Sequence, residues 1–367
     1  MHYRVIGTMS GSSLDGLDLV YAEFEEAGGK WTYSIPAAEC IPYASSLIEK
    51  LRNATRLSAQ DYLLLHGEYG HFLGRSIADF IGRHQLDHKV QLIASHGHTS
   101  FHLPNSGMTA QLGDGSAIAA ETGLPVVSDL RAMDVALGGQ GAPIVPMGEK
   151  MLFGDHGFLL NIGGIANLTI AAGDRYMAYD VCVANQVLNY LAGKRGKSYD
   201  ENGAMAASGT SDEALLTQLT SLDFYKQHPP KSIDNQYGIK NILPLIESSG
   251  ATVENALNSY VTHICGQIAA EAASAKQYYG SLLKSRSMLV TGGGAFNRFL
   301  IDMLSGMLQK VGIDLLVPDA MTVKYKEALI MGFLGILRWR EEATTLSEVT
   351  GAKINGIGGA VWLGTAN

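Results

Sequence analysis

Cysteine, long apolar runs and surplus positive charge are all scarce in this chain of 367 residues. Its three cysteines, Cys40, Cys182 and Cys265, are widely spaced and form no C-x-x-C pair, so we expect neither a disulfide framework nor a zinc ribbon. Such sparing use of cysteine is typical of a reducing compartment, and we expect the protein in the cytoplasm.

Membrane and export signals are also missing from the sequence. No apolar run reaches the roughly 18 residues that a membrane-spanning helix needs. The first residues enter a strand-like segment without the basic and apolar regions of a signal peptide, so we expect no such leader. With 27 Lys and Arg against 35 Asp and Glu, the formal net charge is −8, which argues against general binding to nucleic acid or to an anionic membrane.

Glycine is plentiful instead, and it is concentrated in three turns that each follow an apolar, strand-like run. These turns lie within residues 4–18, 157–170 and 287–297. Glycines let the backbone turn sharply and approach a ligand without a Cβ in the way, and successive amides in such turns can bind anions. One turn alone would predict only a tight hairpin, but three of them favour a site for nucleotide phosphates.

Strand-like and helical patterns alternate along the chain, which at this length favours two α/β domains. We expect strands at 3–8, 17–24, 90–95 and 125–128, helices at 58–84, 115–122, 252–280, 296–310 and 325–342, and a strand–turn–strand unit at 157–180. The interleaving predicts a mostly parallel sheet in each half. A loop rich in glycine at 138–143 is the expected inter-domain hinge.

Acidic residues beside these strands and turns are candidates for chemistry. Asp15 could hold Mg²⁺ or cap its turn, with equal support, whereas Asp18 more simply ends the turn. Asp180 closes a predicted strand, where active sites of α/β proteins gather, so it could act as a general base or equally well as a helix N-cap. Asp129 has the same two interpretations, and the nearby Arg131 could clamp a ligand or form a surface ion pair.

For the candidate histidines and for Cys182 we favour interpretations that involve neither a metal ion nor a nucleophile. His96, His98 and His102 have a spacing that could suit zinc, but a further ligand has no obvious candidate, so a sugar-facing loop or structural histidines are expected. Cys182 has no basic partner adjoining it in sequence and is expected to pack as a small hydrophobe.

Lys231 and Glu327 complete the set of candidate polar residues. Lys231 follows two prolines and could touch phosphate, but we expect a solvated loop lysine. Glu327 begins a predicted helix, where it could bind a sugar hydroxyl or act as a favourable charge at the helix N-terminus.

Short motifs follow one another in a fixed order over essentially the whole chain. They are Gly7-Thr8-Met9-Ser10-Gly11-Ser12-Ser13-Leu14-Asp15-Gly16, His96-Gly97-His98-Thr99, Gln111-Leu112-Gly113-Asp114-Gly115, Gly138-Gly139-Gln140-Gly141-Ala142-Pro143, Asn161-Ile162-Gly163-Gly164-Ile165-Ala166-Asn167, Tyr199-Asp200 with Gly203, Pro229-Pro230-Lys231-Ser232, Gly292-Gly293-Gly294-Ala295 with Asn297, and Val349-Thr350-Gly351-Ala352. In this order they resemble the motifs of the anhydro-N-acetylmuramic acid kinases, and together they are highly specific.

The resemblance implies the fold of the actin/hexokinase/Hsp70 superfamily: two actin-like (ribonuclease H-like) α/β domains with an ATP cleft between them. We expect domain I, with the first phosphate turn, at 1–131 plus 352–367, and domain II, with the second phosphate turn and an adenosine turn, at 132–351. The resemblance also implies a cytoplasmic enzyme of peptidoglycan recycling that forms a homodimer.

The implied reaction uses ATP and Mg²⁺. Water opens the 1,6-anhydro bond of an amino sugar, and O6 receives the γ-phosphoryl group to give N-acetylmuramate 6-phosphate. Asp180 matches the family's catalytic base, substrate contacts carry over to Thr99, Arg131 and Glu327, and the Mg²⁺ ligands are left unassigned. ATP contacts carry over to Gly11, Ser12, Ser13, Leu14, Asp15, Gly16, Leu17, Asp18, Asn161, Gly163, Gly164, Gly292, Gly293 and Gly294.

The chain departs from the family pattern beside the expected base. Where the family typically has Asp-Thr-Gly-Pro-Gly-Asn, this chain has Asp180-Val181-Cys182-Val183-Ala184-Asn185, and Ser-Thr-Gly-Arg-Glu is replaced by Ser232-Ile233-Asp234-Asn235-Gln236. Cys182 and Ala184 would be strained at positive φ, so we expect a reshaped turn. A kinase of the same fold for another sugar or a carboxylate, and an ATP-binding sensor without catalysis, therefore stand as alternatives.

Overall fold

A computed structural model describes residues 1–11, 14–234 and 236–365 of the chain. The strands are His2–Ser10 (β1), Gly16–Ala27 (β2), Lys30–Pro42 (β3), Leu92–Leu103 (β4), Met108–Leu112 (β5), Val126–Ser128 (β6), Phe158–Ile162 (β7), Ile165–Ala172 (β8), Arg175–Val183 (β9), Ser287–Thr291 (β10), Asp314–Leu316 (β11) and Ala360–Trp362 (β12). The α-helices are Ser45–Asn53 (α1), Ala59–Arg83 (α2), Gly115–Thr122 (α3), Ala132–Ala136 (α4), Val145–Leu152 (α5), Asn185–Gly193 (α6), Ala204–Ser208 (α7), Glu213–Thr220 (α8), Leu243–Ser248 (α9), Val253–Tyr279 (α10), Arg298–Lys310 (α11), Ala320–Trp339 (α12) and Ser347–Thr350 (α13).

The chain forms two compact units, Met1–Phe153 with Tyr325–Asn367, and Gly154–Lys324. These limits differ from the expected division into 1–131 plus 352–367 and 132–351, and the loop 138–143 is not where the chain passes between them. That loop is bound within the first unit, because the N–H of Gly141 donates to the Asp134 carboxylate at 2.7 Å and the N–H of Gln140 donates to the carbonyl of Thr350 at 2.8 Å.

The sheet of the first unit has seven strands, in the order β12-β6-β4-β1-β2-β3, with β5 beside β4. β1 is parallel to β4 and β4 to β6, whereas the other neighbours are antiparallel. Helix α2 confirms the prediction at 58–84. Ser58 caps its first turn by accepting the N–H of Asp61 at 3.1 Å, and apolar side chains at helical spacing are buried in the core of this unit: Tyr69, Leu73, Ile77 and Phe80.

The sheet of the second unit has five strands, in the order β11-β10-β7-β8-β9. β7, β10 and β11 are parallel, and β8 and β9 are antiparallel to their neighbours. The long helix expected at 252–280 is α10, capped by the Thr252 hydroxyl, which accepts the N–H of Asn255 at 3.2 Å. Its buried residues, among them Tyr260, Ile264 and Ile268, join the core of this unit.

The prediction of mostly parallel sheets was wrong for both units, since each sheet is mixed. The reason lies in the turns: only Gly163 and Gly164 separate β7 from β8, and only Gly173 and Asp174 separate β8 from β9. Two residues can reverse a chain but cannot carry it back for a parallel crossover, which needs about a dozen or more. Two of the predicted strands are also longer than expected, because β4 continues through the histidine motif and β9 continues past Asp180.

Among the described residues, the helices include none with both the length and the apolar character needed to cross a membrane.

Candidate active site

Asp180 lies inside β9 of the second unit, three residues before the strand ends. Its Oδ2 accepts the N–H of Ile233 at 2.9 Å and the hydroxyl of Ser232 at 3.1 Å. Partial burial raises the pKa of this carboxyl above its ordinary value, while the two donors act in the opposite direction. The alternative of a helix N-cap is wrong, because Ala184 occupies that position before α6. Asp180 is thus an oriented carboxylate suited to accept a proton.

The residues that depart from the family pattern beside Asp180 are interior residues. Val181, Cys182, Val183 and Ala184 are all fully buried in the core of the second unit. Cys182 is not among the residues with positive φ, and Ala184 has φ of −128°, so the strain considered for these two positions does not arise. Burial raises the pKa of the Cys182 thiol far above its ordinary value, which confirms the expectation of a packed, unreactive side chain.

The second and third glycine-rich turns pack against each other within this unit. Gly292 has φ of 82°, and a Cβ there would lie 2.6 Å from Oδ1 of Asn161, so only glycine suits this position. A Cβ on Gly294 would collide with the side chain of Ile162. Gly293 is different, because the nearest atom to its Cβ would be Nδ2 of Asn185 at 3.5 Å. Gly293 is therefore the residue of this turn with room for a ligand against it.

A pocket of about 650 Å³ opens beside the third turn and belongs wholly to the second unit. This volume is within the range of small-molecule sites, which is about 300–1,000 Å³. The walls combine apolar, amide and hydroxyl groups, and the lining residues are Asn185, Leu188, Asn189, Tyr199, Asp200, Asn202, Gly292, Gly293, Gly294, Phe296, Asn297, Ala320, Val323 and Lys324.

Most of these lining residues were not assigned to a site from the sequence, although Tyr199, Asp200 and Asn297 lie in the family motifs. Hydrogen bonds hold the side chains of Asp200 and Asn297 in place. The Asp200 carboxylate accepts the N–H groups of Met205 and Ala206 at 2.8 and 2.9 Å, and the Asn297 side chain caps α11 by accepting the N–H of Leu300 at 3.0 Å. The pocket walls are thereby fixed by helix termini.

The first glycine-rich turn lies in the first unit, between β1 and β2. Leu14 has φ of 59°, which is unusual for a leucine, and its side chain is buried in the core while its N–H donates to the carbonyl of Gly11 at 3.3 Å. Leu17 is also buried, and a Cβ on Gly16 would lie 2.6 Å from the carbonyl oxygen of Ile41. At Leu14, Gly16 and Leu17 the backbone, rather than a side chain, is therefore available to contact a ligand. Ser12 and Ser13, expected to contact ATP, lie outside the described residues.

Asp18 does more than end this turn. It lies within β2, and burial raises the pKa of its carboxyl to about 6, with the negative charges of Glu327 and Asp15 acting in the same direction. A hydrogen bond with the Cys40 side chain lowers that pKa in part. Two other expected ligand-binding carboxylates, Glu327 and Asp15, therefore act on Asp18 within the first unit.

Arg131 is fixed by two hydrogen bonds, and its interpretation as a surface ion pair is wrong. Its Nε–H donates to Nε2 of His96 at 2.8 Å, and its Nη1 donates to the carbonyl of Gly141 at 2.6 Å. Burial lowers the pKa of Arg131 to about 10, although the charges of Glu327 and Asp134 raise it in part. A charged guanidinium is thus held with donors left over for a ligand.

Thr99 and Glu327 also lie in the first unit. Thr99 is in β4, and its hydroxyl oxygen is 3.5 Å from Nε2 of Gln111 across the strand pair. Glu327 follows an interruption in α12 at Tyr325 (φ −117°, ψ 15°), so it does stand near the start of a helical segment, as expected. The charge of Glu327 acts on Arg131, which brings these two predicted contacts into one electrostatic neighbourhood.

The histidines of the 96–102 segment have separate partners along β4. His96 contacts Arg131, Nδ1 of His98 lies 3.1 Å from the Ser10 hydroxyl, and Nδ1 of His102 lies 3.1 Å from the Thr109 hydroxyl. In the part of the chain that the structure describes, no group of three or more His, Cys, Asp or Glu side chains is arranged to hold a metal ion.

Two predictions about polar residues need correction. Lys231 is not solvated: its side chain is only 2% exposed and its Nζ lies 2.7 Å from a carboxylate oxygen of Glu271. The proline-rich segment places this lysine inward, against the Phe224 ring. Asp129 does not cap α4, since Arg131 is the residue before that helix. The backbone of Asp129 has a φ of 56°.

Comparison with known proteins adds to this geometry. The family described as Anhydro-N-acetylmuramic acid kinase matches residues 3–364. Relatives named anhydro-N-acetylmuramic acid kinase include one from Shewanella sediminis, 32% identical over 97% of this chain and 98% of the relative, and one from Methylorubrum extorquens, 33% identical over 98% of each. Another, from Salinibacter ruber, is 32% identical over 95% of this chain and 93% of its own length.

Solved structures similar to this chain include a ROK family glucokinase from Streptomyces griseus in complex with glucose and AMPPNP. The match covers 91% of this chain and 99% of the glucokinase, at 14% identity and a TM-score of 0.41. The family match over nearly all residues and the relatives matched over nearly their whole length together confirm the resemblance: the chain belongs to the anhydro-N-acetylmuramic acid kinase family.

Proposed function

We propose that the chain is an ATP-dependent kinase that opens 1,6-anhydro-N-acetylmuramic acid with water and phosphorylates O6, giving N-acetylmuramate 6-phosphate. The observation that carries this proposal is Asp180, a half-buried carboxylate held by Ser232 and Ile233, in a chain of this kinase family. Its raised pKa is the property that a general base needs to take a proton from water at near-neutral pH.

The reaction balances with one base and one water molecule. Asp180 takes a proton from water as the water oxygen bonds to C1 of the sugar, and the bond between C1 and O6 breaks. O6, which carries the developing negative charge, attacks the γ-phosphorus. The new O6–P bond forms as the bond from this phosphorus to the bridging oxygen breaks, and ADP leaves. Donors and cations that face the developing charge would supply most of the remaining rate enhancement.

The sugar contacts belong to Arg131, Thr99 and Glu327 in this proposal. Arg131 gives this assignment its best support. Its Nε and Nη1 already donate to His96 and Gly141, so its remaining N–H donors are fixed in direction. Glu327 can accept hydrogen bonds from sugar hydroxyls, and its charge partly opposes the lowering of the Arg131 pKa by burial. Thr99 offers a hydroxyl that both donates and accepts.

The ATP contacts belong to the three glycine-rich turns, with Gly11, Leu14, Asp15, Gly16, Leu17 and Asp18 in the first unit and Asn161, Gly163, Gly164, Gly292, Gly293 and Gly294 in the second. The pocket of about 650 Å³ at Gly292–Gly294 supports the assignment of the third turn to the adenosine part. Backbone amides of the turns are suited to phosphate oxygens.

Mg²⁺ is proposed to accompany ATP and to neutralise charge on its phosphates. Mg²⁺ keeps several waters and takes only one or two protein carboxylates, so it is compatible with a site at which the described residues offer no cluster of ligands. Asp18 and Asp15 are the fitting carboxylates, since the pKa of Asp18 is raised by the negative charge around it, and a cation would relieve that repulsion.

The cellular setting follows from this substrate. A product of cell-wall breakdown would be recovered in the cytoplasm, so we propose a cytoplasmic enzyme of peptidoglycan recycling. We also propose a homodimer, which light scattering of the purified protein at micromolar concentration would test. A monomer at every concentration would remove that part of the proposal.

The decisive experiment is an ADP-release assay with Mg-ATP and 1,6-anhydro-N-acetylmuramic acid in water enriched in ¹⁸O. We expect a product heavier by one water and one phosphoryl group, with the ¹⁸O on C1 and none in the phosphate. Faster turnover with another sugar or a carboxylate would identify a kinase of different specificity. ATP binding without transfer to any acceptor would instead indicate a sensor.

A further inference from the structure

The segment 231–233 runs alongside Asp180 and contacts it three times. The backbone N–H of Asp180 donates to the carbonyl of Lys231 at 3.0 Å, and the Asp180 carboxylate accepts the N–H of Ile233 and the hydroxyl of Ser232. The orientation of the carboxylate therefore depends on where this segment lies.

The side chain of Lys231 forms a buried ion pair. The Lys231 side chain is nearly fully buried, its Nζ is 2.7 Å from the Glu271 carboxylate on α10, and it lies 4.9 Å from the centre of the Phe224 ring. The hydroxyl of Tyr179, the residue before Asp180, donates to the same Glu271 carboxylate at 3.0 Å. Glu271 thus holds both the segment and the strand that carries the base.

We propose that the Lys231–Glu271 ion pair positions the catalytic base, by fixing the segment 231–233 so that Ser232 and Ile233 donate to Asp180. This inference rests on the proposed function, because it takes Asp180 as the base. Lys231 and Glu271 act through other residues and do not touch the substrate, so they are positioning residues.

A buried ion pair suits this task better than apolar contacts would. Apolar side chains can slide past one another at little cost, whereas a shift of the segment would leave the Lys231 ammonium buried without its partner. The segment therefore has one favourable position, and the two donors reach the Asp180 oxygen only there. Since both donors stabilise the charged form of the carboxyl, they also limit how far burial raises its pKa.

The test titrates Asp180 directly and does not depend on turnover. The ¹³C signal of the Asp180 carboxyl, assigned by its loss in Asp180→Asn, is followed against pH in the full-length protein. We expect Lys231→Met, Glu271→Gln and Ser232→Ala each to raise the pKa of Asp180, by about half a unit or more. Lys276→Met is the matched control: this lysine is on the same helix as Glu271 but donates to the carbonyl of Val311.

Kinetics supply the second measurement. In Lys231→Met we expect kcat to fall at least about tenfold, because small displacements of a base are costly. The KM for ATP should stay within about twofold, and the acid limb of the kcat/KM profile should move to higher pH. Ser232→Thr, which keeps the hydroxyl, should restore what Ser232→Ala loses.

The outcomes separate this inference from the proposed function. If Lys231→Met and Glu271→Gln titrate as Lys276→Met does, the ion pair does not position Asp180, whatever the activity. Should Lys231→Met not fold, Glu271→Gln decides the question, with Ser232→Ala giving the shift expected from the loss of one donor. If the wild type phosphorylates no acceptor while the titration shifts as expected, the proposed function fails and the structural coupling stands.

Discussion

Arg131 donates its Nε–H to Nε2 of His96 over 2.8 Å, and this bond defines the protonation of the histidine. Because the guanidinium can only donate, Nε2 must accept, and the proton of the ring lies on Nδ1, which is 2.9 Å from the carbonyl of Gly97. Burial lowers the pKa of His96 to about 3, with the Arg131 charge acting in the same direction. The acceptor is therefore neutral at every pH at which such an enzyme works.

Replacing His96 should loosen the sugar contact that we propose for Arg131. In His96→Phe the guanidinium keeps its charge but loses one acceptor in a buried position, which costs about 1–3 kcal/mol. We expect the KM for the sugar to rise about 10- to 100-fold, while the KM for ATP changes little. Initial rates at varied concentrations of each substrate measure both, with His71→Ala, an exposed histidine that contacts Glu121, as the control. An unchanged KM for the sugar would separate Arg131 from substrate binding.

Asp180→Asn should remove the proposed base without disturbing nucleotide binding. Ser232 and Ile233 both donate to Oδ2, and an amide oxygen in that position can accept both hydrogen bonds, so we expect the fold to persist. Turnover should fall by about 10²–10⁴-fold, the usual contribution of a general base. Calorimetric titration with an ATP analogue should give nearly the wild-type affinity. Asp223→Asn, in which an exposed pair with Lys226 is lost, serves as the comparison and should leave turnover intact.

Gly292 and Gly293 should respond differently to substitution although they are adjacent. Gly292→Ala places a Cβ 2.6 Å from Asn161 Oδ1 at a φ of 82°, so it should lower the free energy of unfolding by about 1–3 kcal/mol. Gly293→Val meets only Asn185 near its Cβ and projects toward the pocket. We expect it to raise the KM for ATP at least about tenfold with an unchanged melting temperature. A fall in melting temperature without loss of ATP affinity in Gly293→Val would speak against the third turn as part of the nucleotide site.

Asp18 should make the free protein less stable as pH rises. The folded pKa of about 6 lies above the unfolded value of about 3.9, so the stabilisation present at low pH is lost as pH rises through 6. Asp18→Asn should therefore stabilise the protein at pH 8 by about 1–2 kcal/mol, after allowance for its partial exposure. Denaturant unfolding at pH 4 and pH 8 measures the difference, and Asp155→Asn gives the background. Equal stabilisation at both pH values would refute a titrating Asp18.

The sequence predicted the elements better than their pairing. Helix α2 and helix α10 were foreseen because apolar spacing and the caps Ser58 and Thr252 are local signals. Strand direction was not foreseen, because it is decided by turns as short as Gly163–Gly164. The expected hinge at 138–143 failed for a related reason: the partner of Asp134 and Gln140 is Thr350, more than two hundred residues along the chain.

The candidate site shows the same limit of prediction from local sequence signals. Asp180, Arg131 and Glu327 were identified from motifs, yet their supporting residues were misjudged or passed over. Lys231 was predicted to be solvated, because nothing adjacent in the sequence shows that its ion-pair partner is Glu271 on α10. His96 was expected in a sugar-facing loop or as a structural histidine, but its partner could not be named from the sequence, because Arg131 lies on a different segment. Burial and long-range pairing decide these roles, and neither is a local property of sequence.

The four residues after Asp180 give the enzyme an unusual evolutionary constraint. Val181, Cys182, Val183 and Ala184 are interior residues, so exchanges that alter their volume would be felt first as lost folding and only then as altered catalysis. Selection on this stretch would therefore preserve shape and apolar character rather than the flexibility that a glycine and proline turn provides. If the proposed sugar contacts hold, descendants of this protein could diversify in substrate through Thr99 or Glu327 long before they could do so through the residues next to Asp180.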